Sequence, residues 1–149
     1  MKNATFYLLS HSNNVSGLSA CEALACKIAA ERWRSGRSVL IACEDEQQAL
    51  RLDDALWNRD ASVFVPHNLV GEGPRKGAPV ELAWPQRQGR NYRDLLINLL
   101  LQFADFTTAF PEVIDFVPHE ESLKPLARDR YKAYRSFGFQ LTTTSQPTY

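Results

Sequence analysis

The chain has 149 residues, 44% hydrophobic and 23% charged, enough for one compact domain with a sizeable core and too few for two of ordinary size. Seventeen Lys and Arg balance seventeen Asp and Glu, which excludes a protein held on nucleic acid by net charge alone. Three cysteines do not make a disulfide framework, no apolar run approaches the ~20 residues of a bilayer span, and the first residues show no signal-peptide pattern, so we expect packed thiols and a cytoplasmic protein that does not engage a membrane.

Thr5 to Leu9 reads as a buried strand, followed by a polar loop from Ser10 to Ser16. Ser19 and Glu22 have the capping-box spacing, and Leu18, Cys21, Leu24, Ala25 and Ile28 recur at helical spacing until Gly36 supplies a stop. Val39 to Cys43 is a short continuous apolar run, the pattern of a parallel strand covered on both faces. Asp45 and Gln48 repeat the capping spacing, and Ala49, Leu52 and Leu56 carry a second amphipathic helix to about Trp57. Two strand-helix units in succession imply a parallel sheet.

Beyond them, Val63 to Pro66 is a short strand candidate and Gly71 to Pro79 is dense in backbone breakers, hence a loop. Val80 to Trp84, Leu95 to Leu101 and Val113 to Val117 are further strand candidates, the second equally consistent with a buried helix. A last helix runs from about Glu121 to Phe137, and the Thr/Ser-rich tail, after about residue 142, is expected to fray. The expected architecture is a single three-layer α/β domain over residues 1–149, with a mainly parallel central sheet and a long C-terminal helix.

The familiar chemistries lack their patterns. Gly71, Gly73 and Gly77 have the wrong spacing for a dinucleotide fingerprint, Pro74 intrudes, and a strand-like run follows where a helix N-terminus is needed. No P-loop motif occurs. His11, His67 and His119 are scattered, and Cys21 and Cys26 lie about 140° apart on one helix, so we expect no metal and no cofactor. Glu44, Asp45 and Glu46 follow a strand, where α/β enzymes place carboxylates, but an N-cap role for Asp45 accounts for them without a catalytic partner.

On the last helix, Lys124, Arg128, Tyr131, Lys132 and Arg135 share an arc of about 100°. Leu123, Leu126, Ala127, Tyr134 and Phe137 occupy a separate apolar arc, the core-facing side, into which Arg130 intrudes either by snorkelling or in a buried ion pair. Four like charges on one helical face repel and call for an anionic partner, and on a neutral protein they suit a short acidic peptide or a carboxylate better than a duplex.

Met1 to Leu9, Ile28 to Gly36, Val39 to Glu46, Phe64 to Leu69, Gly71 to Arg75, Gly77 to Glu81, and Leu126 to Arg128 with Arg130 to Arg135, together resemble the enterobacterial-type chi subunits of bacterial DNA polymerase III holoenzyme, with departures in Ser10 to Ser16, Arg87 to Tyr92 and the tail. The resemblance implies a Rossmann-like fold without nucleotide chemistry and a non-catalytic accessory role. It also implies a heterodimer with the psi subunit, attachment through psi to the clamp loader, and binding of the acidic C-terminal tail of single-stranded DNA-binding protein. A repair helicase is the further partner it suggests for the psi-binding surface. Carried over residue by residue, it puts Lys124, Arg128, Tyr131, Lys132 and Arg135 at the tail site and Trp57, Phe64 and Val117 on one psi-facing surface. Large apolar residues are usually buried, so composition alone makes those three core. Two rivals are a direct single-stranded DNA-binding module, built on the cations beside Tyr131, and a nucleotide-binding enzyme, suggested by the strand-helix pattern.

Overall fold

Strands and helices follow in the order β1 (Asn3–Leu8), α1 (Ala20–Arg34), β2 (Val39–Ala42), α2 (Glu46–Trp57), β3 (His67–Leu69), β4 (Val80–Ala83), β5 (Leu95–Asn98), β6 (Glu112–Val117), α3 (Lys124–Ser136) and β7 (Gln140–Ser145). The computed structural model describes residues 2–11, 17–58, 64–72, 77–88 and 93–145. Seven strands form one sheet in the order β3-β4-β2-β5-β6-β1-β7, and every pairing between them is parallel. The expected α/β fold with a parallel central sheet and a C-terminal helix is thus the observed one.

Both capping boxes read from the sequence have local consequences. The Ser19 hydroxyl accepts from the Glu22 N–H at 3.1 Å and the Glu22 carboxylate accepts from the Ser19 N–H at 3.0 Å, which starts α1. The second Glu22 oxygen takes Gln48 at 2.9 Å and Arg51 at 2.8 Å, tying the start of α1 to α2. Asp45 caps α2 by accepting from the Gln48 N–H at 2.8 Å.

Alternation along the buried strands sends side chains to two cores. Ile41, Leu82, Ile97, Ile114 and Phe116 meet α1 and α2 on one face. Ala4, Phe6, Leu40, Ala42, Leu96 and Val113 face the other way, where Tyr134 of α3 and Phe139 lie. α3 is thus the lone α-helix, among the described residues, on its side of the sheet.

Three expectations need correction. The strand in the middle of the chain is His67–Leu69 and not Val63 to Pro66, because it is His67 to Leu69 that pair with Val80 to Leu82; Val63 itself lies outside the described residues. The tail does not fray at 142: Gln140–Ser145 pairs along the whole of β1, and β-branched Thr142, Thr143 and Thr144 suit an exposed edge strand whose polarity hid it. Phe137, read as core-facing, is half exposed and stacks on Phe103 with ring centroids 5.5 Å apart.

Arg130 resolves into the buried ion pair. Its Nε lies 3.2 and 3.1 Å from the two carboxylate oxygens of fully buried Asp115, and its other nitrogens donate to the backbone carbonyls of Leu101 and Phe116. Asp115 also accepts from the Tyr134 hydroxyl at 2.9 Å and the Asn98 amide at 3.1 Å. Burial pushes the Asp115 carboxyl up from its ordinary value, against the opposing pull of Arg130.

Two predictions follow from these contacts. Arg130→Met leaves a buried carboxylate without its cation, and denaturant unfolding should show a loss of ~3–5 kcal/mol; a loss below ~1 kcal/mol would mean the pair does not anchor α3. For Glu22, burial raises the carboxyl but the bonds from Arg51, Gln48 and Ser19 outweigh it, so the net shift is downward. A depressed folded-state value means stability present above the unfolded carboxylate range and lost as pH falls through the folded one. The stability of Glu22→Gln, followed by urea titration from neutral pH into the acid range, should therefore fall less with pH than that of the wild type.

Candidate functional site

α3 is reached through a 3-10 turn at Glu121–Leu123, with Pro125 in its first turn, where the missing N–H has no helical partner to lose. Ala127, Arg130 and Tyr134 are its buried residues. Fixing that side toward the sheet turns the cationic arc outward. Arg128, Lys132 and Arg135 are exposed, while Lys124 is half-buried and gives its ammonium to Glu121 at 2.8 Å. Tyr131 is half-buried, its ring 5.4 Å from that of Phe6, and the Arg135 guanidinium lies 5.1 Å from its centroid. The structure therefore brings all five stripe residues to one face, with Lys124 partly neutralised and Arg128 at the centre.

An apolar shelf borders this face that sequence reading did not anticipate. Phe6 points toward α3, so Leu8 points the same way one pleat further along β1, and Leu8 is 43% exposed. Its register partner on β6 is Val117, half-buried and packed into the same cluster as Tyr131. Leu8 was read as part of a buried strand; its exposure arises because it ends β1 beyond the reach of α3.

Trp57 and Phe64 form a second surface. Trp57, the last residue of α2, is 59% exposed, and its ring lies 5.3 Å from half-buried Phe64. Both rings rest on buried His67, at 5.2 and 5.9 Å, whose Nδ1 is 2.7 Å from the Val65 carbonyl oxygen. Leu50, two turns before Trp57 on the same side of α2, is a further exposed apolar residue at 43%. Val117 does not join them. It stands at the carboxyl end of β6, four strand positions from β3 and so ~19 Å away at ordinary strand spacing, on the α3 side. The expectation of one surface formed by Trp57, Phe64 and Val117 is corrected to two.

Two of the three carboxylates after β2 are occupied locally. Asp45 is the α2 cap, and Glu44 accepts from the Leu101 N–H at 3.0 Å. In the glycine-rich segment, residues 73–76 lie outside the described residues. Gly77 has φ +76° and a Cβ there would clash with the Glu81 carboxylate, so this glycine is required by its backbone and by close packing, and β4 rather than a helix follows it. Among the described residues no group of three potential metal ligands converges and no helix is long and apolar enough to cross a membrane.

Residues 1–142 match the family described as DNA polymerase III chi subunit, HolC. The chain belongs to the DNA polymerase III chi subunit family. Its place is that of an accessory subunit in DNA replication. It is 68% identical to the DNA polymerase III subunit chi of Escherichia coli K12 over 97% of this chain and 99% of that one. Identity to the chi subunit of Haemophilus influenzae is 46%, over 95% of this chain and 96% of that one, and to that of Pseudomonas aeruginosa 36%, over 95% and 94%. Among solved structures, T4 UvsW superimposes with a TM-score of 0.63 at 11% identity over 97% of this chain and 41% of that one, a likeness of fold alone.

Proposed function

We propose that this chi-family chain is a non-catalytic, cytoplasmic adaptor with two protein-binding surfaces. One is the face of α3, which takes the acidic C-terminal tail of single-stranded DNA-binding protein; the other is the Trp57/Phe64 surface, which takes the psi subunit and through it the clamp loader. The same apolar surface is where a repair helicase would compete with psi. Together they would link the polymerase assembly to coated single-stranded DNA.

The observation that carries the first assignment is the outward cationic face of a helix whose opposite side is locked by Arg130 and Asp115. Arg128 at its centre offers a planar guanidinium able to hold a carboxylate with two parallel hydrogen bonds. Tyr131, Val117 and Leu8 form an apolar wall beside it, suited to an aromatic residue next to that carboxylate. Val117 is accordingly proposed for the tail site and not for the psi surface. Direct binding of single-stranded DNA is less well supported, because Tyr131 is half-buried against Phe6 and the Arg135 guanidinium lies over its ring, where a base would have to stack. For psi, the support is exposed Trp57 against half-buried Phe64, with exposed Leu50 on the same side of α2, since clustered large apolar residues on a surface mark interfaces.

Arg128→Ala should weaken a fluorescently labelled tail peptide ~10- to 100-fold, the loss of ~1.5–3 kcal/mol expected for a charge-assisted contact. Lys124→Ala should matter less, since its ammonium already has Glu121. Anisotropy titrations at two salt concentrations measure both, and equal affinities for Arg128→Ala and wild type would remove the stripe from the tail site. Conversely, Phe64→Ala and Leu50→Ala should reduce co-purification with psi while leaving tail affinity unchanged. Retention of psi by the double variant would place that interface elsewhere.

A further inference from the structure

A cavity of about 650 Å³ lies at the carboxyl ends of β2 and β4 on the α3 side of the sheet. α1 and α2 both pack on the opposite face, and α3 lies over the other half of the sheet, with β1, β6 and β7. What borders the half without a helix is the segment between β5 and β6, which among the described residues forms a 3-10 turn at Asp105–Ala109. The cavity floor is Leu40, Ala42 and Ala83, and Phe106, Phe110 and Leu126 wall it. Two alanines in the floor give depth where larger side chains would have closed the space.

The chemistry of the lining selects the ligand. Apolar side chains dominate, and a space of this size is that of a drug-sized molecule, with few ordered partners for the water that would otherwise fill it. The charged groups that reach it are engaged within the protein. Arg93 pairs with Glu81, which also takes the Asn68 amide at 3.1 Å, and Glu44 holds the Leu101 N–H. An ionic ligand would have to compete with these contacts, the Arg93–Glu81 pair among them being buried. Phosphates are further opposed by Glu44, Asp45 and Glu46, the acidic start of the helix that follows β2. We propose that this cavity is a binding site for a neutral, largely apolar small molecule, separate from the two protein-binding surfaces.

The test uses the full chain and Nile red, a neutral apolar fluorophore. Wild type should bind it saturably at one site, and Trp57→Ala should bind equally, which separates the cavity from the exposed Trp57 surface. Ala83→Leu, which fills the floor, and Phe106→Asp, which puts a charge in the wall, should each weaken binding roughly tenfold or more, with thermal melting confirming a folded protein. Phe106 is half-buried on a short turn, so its variant keeps the test decisive if Ala83→Leu does not fold. Millimolar ATP should leave the bound fluorescence unchanged. Absence of saturable binding to wild type, undiminished binding to the folded cavity variants, or displacement by ATP would each overturn the assignment.

Discussion

One buried charge organises the α3 side of the molecule. Asp115 sits in the middle of β6, fully buried, and an isolated carboxylate there would be too costly to tolerate. Arg130 from α3 neutralises it, and the remaining Arg130 donors reach the Leu101 and Phe116 carbonyls. Tyr134, one helical turn later, adds its hydroxyl to the same carboxylate, and burial next to Asp115 drives that phenol well above its ordinary range. Apolar contacts alone would allow a helix to roll on a sheet; directional bonds to one carboxylate do not. The rotational setting of α3 thus follows from Asp115, and with it the direction in which Arg128, Tyr131, Lys132 and Arg135 project.

The unequal covering of the sheet explains the rest of the surface. Two helices satisfy one face completely, while the other has α3 over one half and irregular chain over the remainder. The result is a protein with distinct surfaces at separate places: cations on α3, aromatic rings at the end of α2, and an apolar cavity between β4 and the 3-10 turn. Nucleotide-binding relatives of this architecture use helix N-termini at the carboxyl ends of the strands. Here the corresponding position after β2 is filled by an acidic cap, which favours structure over phosphate chemistry.

Much of this was legible in the sequence because it is local. The Ser19/Glu22 and Asp45/Gln48 spacings act within one helical turn, and the apolar run of β2 reports burial on both faces directly, whereas that of β5 suited a buried helix equally well. The cationic arc was legible for the same reason, as a matter of angular spacing. What the sequence left open depends on distant partners. β7 is polar because it is an edge, so only its pairing with β1 identifies it as a strand. The choice between two fates for Arg130 required knowing that Asp115 faces it across the core. Grouping Val117 with Trp57 failed because proximity in a sheet is set by strand order, which no periodicity encodes.

That strand order also constrains how the protein is made. β1, from the beginning of the chain, pairs only with β6 and β7, from near its end. During synthesis β2, β4 and α2 have their sheet neighbours in hand once residue 98 has been made, whereas Phe6 and its strand have no strand partner until β6, residues 112–117, has followed. Pairings of such long sequence separation are slow to form, and the waiting strand is a natural target for chaperones. β7 is the last strand to be made and covers the outer edge of β1, so the α3 face, where Tyr131 meets Phe6, joins the two ends of the chain.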